Sequence, residues 1–475
     1  MNDVRRSISE DKIKADYGEF LDRYPAYGST TALDELRKSE YSRLDAQEHI
    51  YLDYTGGGLY ADRQIRQHSE FLMGNVLGNP HSSNPTSTFT TLRVEDCRRR
   101  VLEFFNASPD EYVPIFTANA SQALKLVGES YPFRNGDQLL LSFDNHNSVL
   151  GIREFDKAHG AVTRYVPVIP PDLRISQPVL EEYLDGKDPS ENGLFAFPAQ
   201  SNFSGVQYPL EWIELAKSRG WDVLLDAAAF VPTNRLDLTE WHPDFVTISF
   251  YKMFGYPTGI GCLLARREAL EKLHRPWFAG GTITVVSVQA DQFYLAPGAE
   301  GFEDGTLDYA NLPAVSVGLD HLESVGMDII HERVGCLSHW LIANLLELKH
   351  GNGKSVVRLY GPTEREMRGG SVTINIYDRE GVVIDHQVVE KKANEWKISL
   401  RTGCFCNPGA GELALGLSKN EMITCMHGPE SRMTVDEFRQ CIDGKSTGAV
   451  RVSTGLVSNF RDVRLFLELV RQFIQ

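Results

Sequence analysis

Cysteine is scarce in this sequence, and positive charge is not in excess. The seven cysteines are odd in number and mostly isolated along 475 residues, which predicts free thiols in a reducing cytoplasm rather than a disulfide framework. Acidic residues outnumber basic ones, and the formal net charge is −16. That charge argues against general binding to nucleic acid or to anionic membranes.

Long hydrophobic runs are missing as well. No apolar stretch approaches the roughly 20 residues that a transmembrane helix needs. Residues 1–20 carry charges throughout and contain no apolar core of a secretory signal. Internal repeats and low-complexity segments are also absent from the sequence. We therefore expect a globular cytoplasmic protein, long enough for two or three domains.

Strand-like and helix-like segments alternate along most of the chain, which is typical of a mostly parallel α/β sheet. The candidates for that sheet are seven segments, Tyr112–Phe116, Gln138–Phe143, Val162–Val168, Leu194–Pro198, Asp222–Asp226, Phe245–Ser249 and Gly261–Ala265. Beyond about residue 320, helices bracket the strand candidates Ser371–Tyr377, Lys397–Arg401 and Val450–Ser453. We predict a helical segment over 1–48 that packs on the small domain, a large α/β domain over 49–318 and a smaller α+β domain over 319–475.

One lysine stands in an unusual place. Lys252 lies in a glycine-rich turn between two apolar runs, where an amine is costly unless it has a covalent or ionic role. Asp226 ends the strand candidate Asp222–Asp226, and the next strand candidate along the chain leads into the turn of Lys252. Chemistry with pyridoxal 5′-phosphate (PLP) needs such a pair, an amine for a Schiff base and a carboxylate that keeps the pyridine nitrogen protonated. The pair predicts a PLP site.

A phosphate site is predicted where a strand candidate runs into a helix. Ala120 and Ser121 would place backbone N–H groups at the positive end of that helix, although an ordinary N-cap by Asn119 or Ser121 explains the same residues. The hydroxyls of Ser249 and Thr282 are further candidates for phosphate contact, and exposed hydroxyls are common.

Two polar residues follow other strand candidates, at the sheet edge where ligands bind in such folds. His146 could stack on a cofactor ring and exchange protons with a substrate, whereas most isolated loop histidines are merely solvated. Asn202 could donate a hydrogen bond to the phenolic oxygen of PLP, with an Asx turn as the competing explanation.

The second group of candidate residues lies in RTGCFCNPG. An arginine, Arg401, ends a strand candidate and precedes a loop with Cys404 and Cys406, which indicates a mobile, exposed nucleophile near a carboxylate-binding group. The C-x-C spacing could also bind metal, but no second cluster would complete such a site, so we predict none. Arg451 reads as a buried strand arginine that serves an interdomain salt bridge or captures a substrate carboxylate.

The chain resembles the class V aminotransferase superfamily of fold-type I PLP enzymes, and within it the NifS-like domain of molybdenum cofactor sulfurases. The resemblance runs from about residue 50 to 470, without the C-terminal MOSC domain of those sulfurases. It rests on the motifs YLDYTGGGLY, GNPHSSNPTS, LLDAAAFVPT, SFYKMFGYPTGIGCLLAR, FEDGTLDY, RTGCFCNPGA and TGAVRVSTG.

The resemblance implies roles for these positions. Lys252 would form the Schiff base, Asp226 would pair with the pyridinium, and Ala228 would pack on the ring face opposite His146. Cys406 falls where cysteine desulfurases carry the thiol that forms a persulfide. The remaining positions would bind phosphate (Ala120, Ser121 and Ser249), the substrate carboxylate (Arg401 and Arg451) and, in a homodimer, the neighbouring subunit's cofactor (Thr282).

The sequence also departs from the family pattern. Tyr251 stands where desulfurases often have histidine, and Ala229 replaces a glutamine that bonds the cofactor oxygen. Gly411 stands where sulfurases tend to carry a further cysteine. The sulfur acceptor, molybdenum cofactor or a carrier protein, is left open.

The leading hypothesis is a cysteine desulfurase that converts L-cysteine to L-alanine and leaves a persulfide on Cys406. Lys252 would move the α-proton, and the Cys406 thiolate would attack the substrate sulfur. The nearest rival keeps PLP but acts as a C–S lyase, an epimerase or an aminotransferase of a specialised pathway. A non-catalytic scaffold is the third reading, and the presence of both Lys252 and Asp226 argues against it.

Overall fold

A computed structural model describes residues 10–426, 433–442 and 448–475. Its strands are β1 (Ile50–Tyr51), β2 (Tyr112–Thr117), β3 (Gln138–Ser142), β4 (Val162–Val166), β5 (Gly193–Pro198), β6 (Asp222–Asp226), β7 (Phe245–Ser249), β8 (Gly261–Arg266), β9 (Ile283–Ser287), β10 (Gln292–Leu295), β11 (Val357–Tyr360), β12 (Ser371–Ile376), β13 (Ile398–Ser399), β14 (Arg401–Gly403) and β15 (Ala449–Ser453).

The helices account for most of the remaining regular structure. They are α1 (Glu10–Arg23), α2 (Ala32–Glu40), α3 (Arg43–Ala46), α4 (Asp62–Gly74), α5 (Pro85–Phe104), α6 (Ala120–Ser130), α7 (Asn147–Leu150), α8 (Arg153–Ala158), α9 (Gln177–Asp185), α10 (Trp212–Lys217), α11 (Phe250–Phe254), α12 (Arg267–Leu270), α13 (Leu312–Val325), α14 (Met327–Leu346), α15 (His386–Glu395), α16 (Pro408–Ala414), α17 (Lys419–Met426), α18 (Val435–Cys441) and α19 (Phe460–Arg471). Short 3₁₀ helices lie at Pro25–Thr30 and Gly298–Phe302. Within the described ranges, no helix combines the length and apolar character that crossing a bilayer requires.

The large sheet has seven strands in the order β2-β8-β7-β6-β5-β3-β4. Strand β8 pairs antiparallel with both of its neighbours, and the other neighbouring pairs are parallel. Every residue of β2, β5 and β7 is buried, as expected for a sheet covered by helices on both faces. The prediction of a mostly parallel seven-stranded α/β sheet is confirmed, and each predicted strand matches an observed one within two residues at either end.

A second sheet is antiparallel, with the order β11-β12-β15-β14. The register of β14 and β15 places Arg401 opposite Arg451. Strand β1, which the predicted boundary assigns to the large domain, pairs in parallel with β13 at Ile50 and Ile398. These two strands form a separate two-stranded sheet, and the domain boundaries stay a prediction.

The N-terminal helix packs against the C-terminal part of the chain. Phe20 of α1 is 1% exposed, and its ring contacts those of Tyr27, Trp340 and Phe460 at centroid distances of 4.8 to 6.2 Å. Burial of aromatic rings dominates contacts of this kind. Residues far apart in sequence therefore share one apolar cluster.

The expectation that all cysteines are free thiols is wrong for one pair. Cys425 of α17 and Cys441 of α18 form a disulfide, with their Cα atoms 5.8 Å apart. That separation lies in the usual range for disulfides. The two cysteines are isolated in the sequence, and only the packing of the two short helices brings them together. The other five, Cys97, Cys262, Cys336, Cys404 and Cys406, are free thiols.

Candidate active site

A pocket that is open to solvent at its mouth lies at the carboxyl edge of the large sheet. Predicted site residues that line it are Ala120, Ser121, His146, Asn202, Asp226, Ala228, Ser249 and Lys252. Gln200 and Tyr251 line the same pocket and were not predicted as site residues. Residues from five segments of the chain thus converge on one cavity.

Lys252 enters the pocket from a helix that begins directly after a strand. Strand β7 ends at Ser249, and α11 follows from Phe250 to Phe254 and is capped by Gly255, which has φ +79°. Gly58 of the TGGG segment bonds to this turn through its N–H, at 3.0 Å from the Tyr251 carbonyl. A Cβ on Gly58 would meet the Lys252 carbonyl at 2.9 Å. The glycine thus allows a close backbone contact that fixes the lysine turn.

Burial lowers the pKa of the Lys252 amine below its ordinary value. The nearby guanidinium groups of Arg451 and Arg401 lower it further, while the charges of Asp226 and Cys406 oppose the shift. A lowered pKa raises the fraction of neutral amine at a given pH. The neutral amine is the form that acts as a nucleophile or accepts a proton.

Asp226 is the last residue of β6 and is 9% exposed. Its Oδ1 accepts hydrogen bonds from the Ala228 N–H at 3.1 Å and from the Thr247 hydroxyl at 3.3 Å. These bonds fix the carboxylate at the floor of the pocket. A fixed, buried carboxylate can pair with a protonated ring nitrogen.

The anion end of the pocket is the start of α6. Asn119 caps the helix by accepting from the Gln122 N–H at 2.9 Å, as the N-cap reading expected. Ala120 and Ser121 line the pocket in addition, and the first N–H groups of a helix have no acceptor within the helix. The Ser121 hydroxyl lies 2.6 Å from that of Ser148. The N-cap by Asn119 and a phosphate site at Ala120 and Ser121 are therefore compatible.

His146 follows β3 and caps α7. Its Nδ1 accepts from the Ser148 N–H at 3.1 Å, so a neutral ring carries its proton on Nε2. Burial lowers the pKa of the imidazole, Asp226 raises it, and the charges of Lys252 and Arg451 lower it. The ring is therefore held neutral beside the lysine and can accept or donate a proton at neutral pH.

Asn202 lines the pocket and also bonds to the loop that carries Cys406, and its predicted contact with the cofactor stays a prediction. Its Nδ2 donates to the Phe405 carbonyl at 2.7 Å, and its Oδ1 accepts from Asn407 Nδ2 at 2.9 Å. The amide that was expected to bind a phenolic oxygen therefore also holds the cysteine loop. Its side chain still lines the pocket, which leaves its second N–H available there.

The loop that carries Cys406 is hydrogen-bonded to its surroundings, and its predicted mobility stays a prediction. Asn407 Nδ2 donates to the buried Asp144 at 2.5 Å, and the Cys406 carbonyl accepts from the Asn147 N–H at 2.7 Å. Burial raises the pKa of Asp144, while hydrogen bonds from Ser201, Asn407 and Tyr208 oppose the rise. Both Cys404 and Cys406 remain exposed, and the charge of Cys406 acts on Lys252. The backbone is thus fixed on both sides of an accessible thiol.

The two predicted carboxylate-binding arginines share one acid. Arg401 is about half exposed and Arg451 is 2% exposed, and both guanidinium groups bond to Asp53. Asp53 follows β1 within the motif YLDYTGGGLY. An acid directly after a strand and before three glycines was the available signal for it, and the sequence reasoning missed it.

Thr282 lies outside the pocket that Lys252 enters. It is fully buried, and its hydroxyl donates to the Ala279 carbonyl and accepts from the Ala279 N–H, both at 2.9 Å. Its predicted contact with a neighbouring subunit's cofactor stays a prediction.

The sequence matches the aminotransferase class-V family over residues 50–466. Among curated proteins, it is 39% identical to a molybdenum cofactor sulfurase of Homo sapiens over 94% of this chain and 52% of that protein. It is 36% identical to one of Solanum lycopersicum over 96% of this chain and 60% of that protein. The chain thus spans little more than half the length of these relatives.

Solved structures of similar fold include an apo cysteine desulfurase from Thermococcus onnurineus, with a TM-score of 0.76, 23% identity and coverage of 93% of this chain and 98% of that one. A cysteine desulfurase from Escherichia coli matches with a TM-score of 0.72 at 20% identity, over 93% and 98% of the two chains. A cystine C–S lyase matches with a TM-score of 0.69 at 18% identity, over 90% and 98%. At these identities the likeness shows a common fold.

Proposed function

The chain belongs to the aminotransferase class-V family, and from this premise we propose that it is a PLP-dependent cysteine desulfurase. It converts L-cysteine to L-alanine and passes the sulfur, through a persulfide on Cys406, to an acceptor of the molybdenum cofactor or carrier-protein kind. The observation that carries the proposal is the position of Asn202, which lines the same pocket as Lys252 and Asp226 and bonds to the residues on either side of the exposed Cys406. The buried Lys252 amine of that pocket has a lowered pKa.

The donor set of the pocket fits PLP. A phosphate fits the first N–H groups of α6 with Ser121 and Ser249, and a pyridine nitrogen fits the Asp226 carboxylate. When bound, PLP supplies an aldehyde for the Lys252 amine and an electron sink for the α-carbon of an amino acid. A PLP-linked structure related to the cystine C–S lyase, with a TM-score of 0.69 and 18% identity, supports this choice of cofactor.

Each residue of the site would then have a separate role in the reaction. Arg451 and Arg401 bind the carboxylate of L-cysteine and orient its α-carbon toward Lys252. The neutral Lys252 amine takes the α-proton, and His146 exchanges a proton from the neutral state that burial favours.

Sulfur transfer is assigned to Cys406. Its thiolate attacks the substrate sulfur, so that an S–S bond forms while the bond between Cβ and sulfur breaks. The electron pair of the broken bond stays with carbon, which is protonated and becomes the methyl group of alanine. L-cysteine and the Cys406 thiol thus yield L-alanine and a Cys406 persulfide, with no external oxidant.

The test is turnover of L-cysteine by the PLP-loaded protein, followed by mass spectrometry of the intact chain and its peptides. We expect stoichiometric alanine and one extra sulfur atom on the peptide that contains Cys406. Cys406→Ala should abolish sulfur transfer while the cofactor absorbance stays. Cys404→Ala is the matched control, since it removes an exposed thiol of the same loop. Unimpaired sulfur transfer by Cys406→Ala contradicts the proposal.

The second candidate function is a PLP-dependent C–S lyase, because a cystine C–S lyase shares the fold. An epimerase or aminotransferase reaction would use the same cofactor site. Product analysis separates these reactions, because pyruvate and ammonia indicate β-elimination and a racemised substrate indicates epimerisation. A lyase has no need of Cys406, so Cys406→Ala would leave its rate unchanged.

The proposal includes a homodimer in the cytoplasm. Support for a dimer comes from the hairpin β9–β10, where Val285, Val288 and Tyr294 are 56%, 95% and 69% exposed. Exposed apolar patches of this kind favour association. Light scattering should give twice the chain mass, and Val288→Asp should shift it toward the monomer while the exposed Val382→Asp should not.

A further inference from the structure

Asp53 occupies the space between the two arginines of the carboxylate subsite. Its Oδ2 accepts from Arg401 at 2.6 Å, and its Oδ1 accepts from Arg451 at 3.1 Å. The side chain is 12% exposed, between a half-exposed arginine and one that is 3% exposed. One carboxylate of the chain therefore already bridges both cations assigned to the substrate.

The backbone holds Asp53 in this place. Leu52 accepts from the Ser453 N–H at 2.7 Å, and Asp53 pairs with Ser453 in a parallel bridge, so the acid is fixed to the strand that carries Arg451. The Tyr51 hydroxyl donates to the Gly57 carbonyl at 2.9 Å and closes the turn. A Cβ on Gly56 would collide with the Asp53 carboxylate and with Arg401. The first glycine of the motif thus leaves room for the ion pair.

Arg451 makes further contacts beside its ion pair with Asp53. Its NH1 donates to the Asn202 carbonyl at 2.8 Å, and its guanidinium lies over the Phe405 ring at 4.8 Å. Its Nε–H is buried and finds no acceptor among the described residues. Since buried N–H groups are almost always bonded, this donor without an acceptor is unusual.

The charges of the cluster leave a single positive charge, because two guanidinium groups meet one carboxylate. Arg401 and Arg451 stand directly opposite each other in β14 and β15, where like charges repel. We propose that Asp53 is a positioning and specificity-determining residue, which holds the two arginines together and limits the subsite to one substrate carboxylate. The inference rests on the proposed function, in which L-cysteine supplies that carboxylate.

Asp53 also sustains the charge of Arg451. Burial lowers the pKa of Arg451 to about 10, and the charge and hydrogen bond of Asp53 oppose this fall. Without Asp53 the pKa of this guanidinium falls further, and substrate binding weakens at alkaline pH. The other titratable groups that act on this region are Arg401, Cys406, Lys252, His146, Tyr51 and Tyr251.

The experiment compares Asp53→Asn with the wild-type holoenzyme. We expect the ratio of variant to wild-type KM for L-cysteine to rise about threefold between about pH 7 and about pH 9.5, because a fall of about one pKa unit from about 10 lowers the charged fraction of Arg451 at pH 9.5 from about three quarters to about one quarter. Near pH 7, the ratio of the propionate to the succinate inhibition constant should be several-fold higher for the variant than for the wild type. Asp62→Asn, which removes a surface partner of Arg43, is the matched control and should change neither ratio.

A ratio of KM values that is the same at all pH values, together with unchanged succinate preference, overturns the inference. A wild-type enzyme that releases no alanine contradicts the proposed function instead, and calorimetric titration of the holoenzyme with propionate and succinate then still tests Asp53. If Asp53→Asn does not fold, Arg401→Gln replaces it, since this side chain is half exposed. In that variant the charges of Arg451 and Asp53 cancel and the subsite has no net charge, so the affinity for propionate should fall at least about tenfold. An unchanged affinity for propionate overturns the inference.

Discussion

Single residues decide the chemistry of the pocket, and the sequence revealed those whose type is costly in their place. A lysine in a glycine-rich turn and an acid at a strand end indicated Lys252 and Asp226, and both line one pocket. Asp53 gave a weaker signal, because an acid before three glycines is also ordinary turn chemistry. Its role depends on Arg401 and Arg451, which lie about 350 to 400 residues away in sequence and meet it only in the fold.

The lowered pKa of Lys252 leads to a prediction for the cofactor-free protein. Because burial disfavours the charged amine, Lys252 should be neutral, and open to acylation, at a lower pH than an exposed lysine. The pH profile of labelling by acetic anhydride, read by peptide mass spectrometry, should lie below that of the exposed Lys125.

Asp226→Asn tests whether the charge of Asp226 raises or lowers the pKa of Lys252. Asp226 raises the pKa of Lys252, so its removal should move the Lys252 labelling profile to still lower pH. A Lys252 profile that coincides with that of Lys125, or one that moves upward in Asp226→Asn, contradicts this account of the pocket.

Secondary-structure elements were predictable where the pattern was local. The strands of the large sheet are short apolar runs bounded by polar or glycine residues, and such runs identify buried strands without tertiary information. The hairpin β9–β10 was missed, because it is largely exposed. The anchoring of the cysteine loop was also missed, since it depends on Asp144 and Asn202 from other strand ends.

Asn407 should set the position of Cys406, because its amide bonds to both Asp144 and Asn202. Asn407→Ala removes these bonds and frees the loop. We expect about a tenfold or greater loss of persulfide formation, since a displacement of about 1 Å has a large effect on reaction geometry. Alkylation of Cys406 by iodoacetamide should change in rate as well. Asn420→Ala, at an exposed position of α17, is the control, and equal rates in both variants contradict the role of Asn407.

The contact between β8 and the start of α6 gives a prediction on stability. A Cβ at Gly261 would lie 2.5 Å from the Asn119 carbonyl carbon and 2.7 Å from the Ala120 nitrogen. Gly261→Ala should therefore lower the free energy of unfolding by about 1–3 kcal/mol and weaken anion binding at this helix. Urea unfolding measures the first effect. Gly280→Ala meets no atom within 4 Å and should be near neutral; equal losses in both variants contradict the predicted clash.

At the scale of the whole molecule, the two ends of the chain are joined. Arg333 of α14 bonds to Thr30 and Asp34 near the N-terminus, and Arg464 of α19 bonds to Asp16 at 2.5 Å. The sequence predicted an N-terminal helical segment that packs on the small domain. Such contacts between residues more than 290 positions apart could not be assigned to particular partners without the fold.

Phe20 tests whether this junction stabilises the molecule apart from its chemistry. Its ring is buried among Tyr27, Trp340 and Phe460, so Phe20→Ala leaves a cavity and should cost about 3–5 kcal/mol in the free energy of unfolding. Because the junction is not part of the pocket that Lys252 enters, the folded variant should keep the wild-type KM for L-cysteine. Val388→Ala, at a side chain that is 52% exposed, should cost much less. A stable Phe20→Ala with an altered KM would show instead that the N-terminal helix acts on the pocket and contributes little to stability.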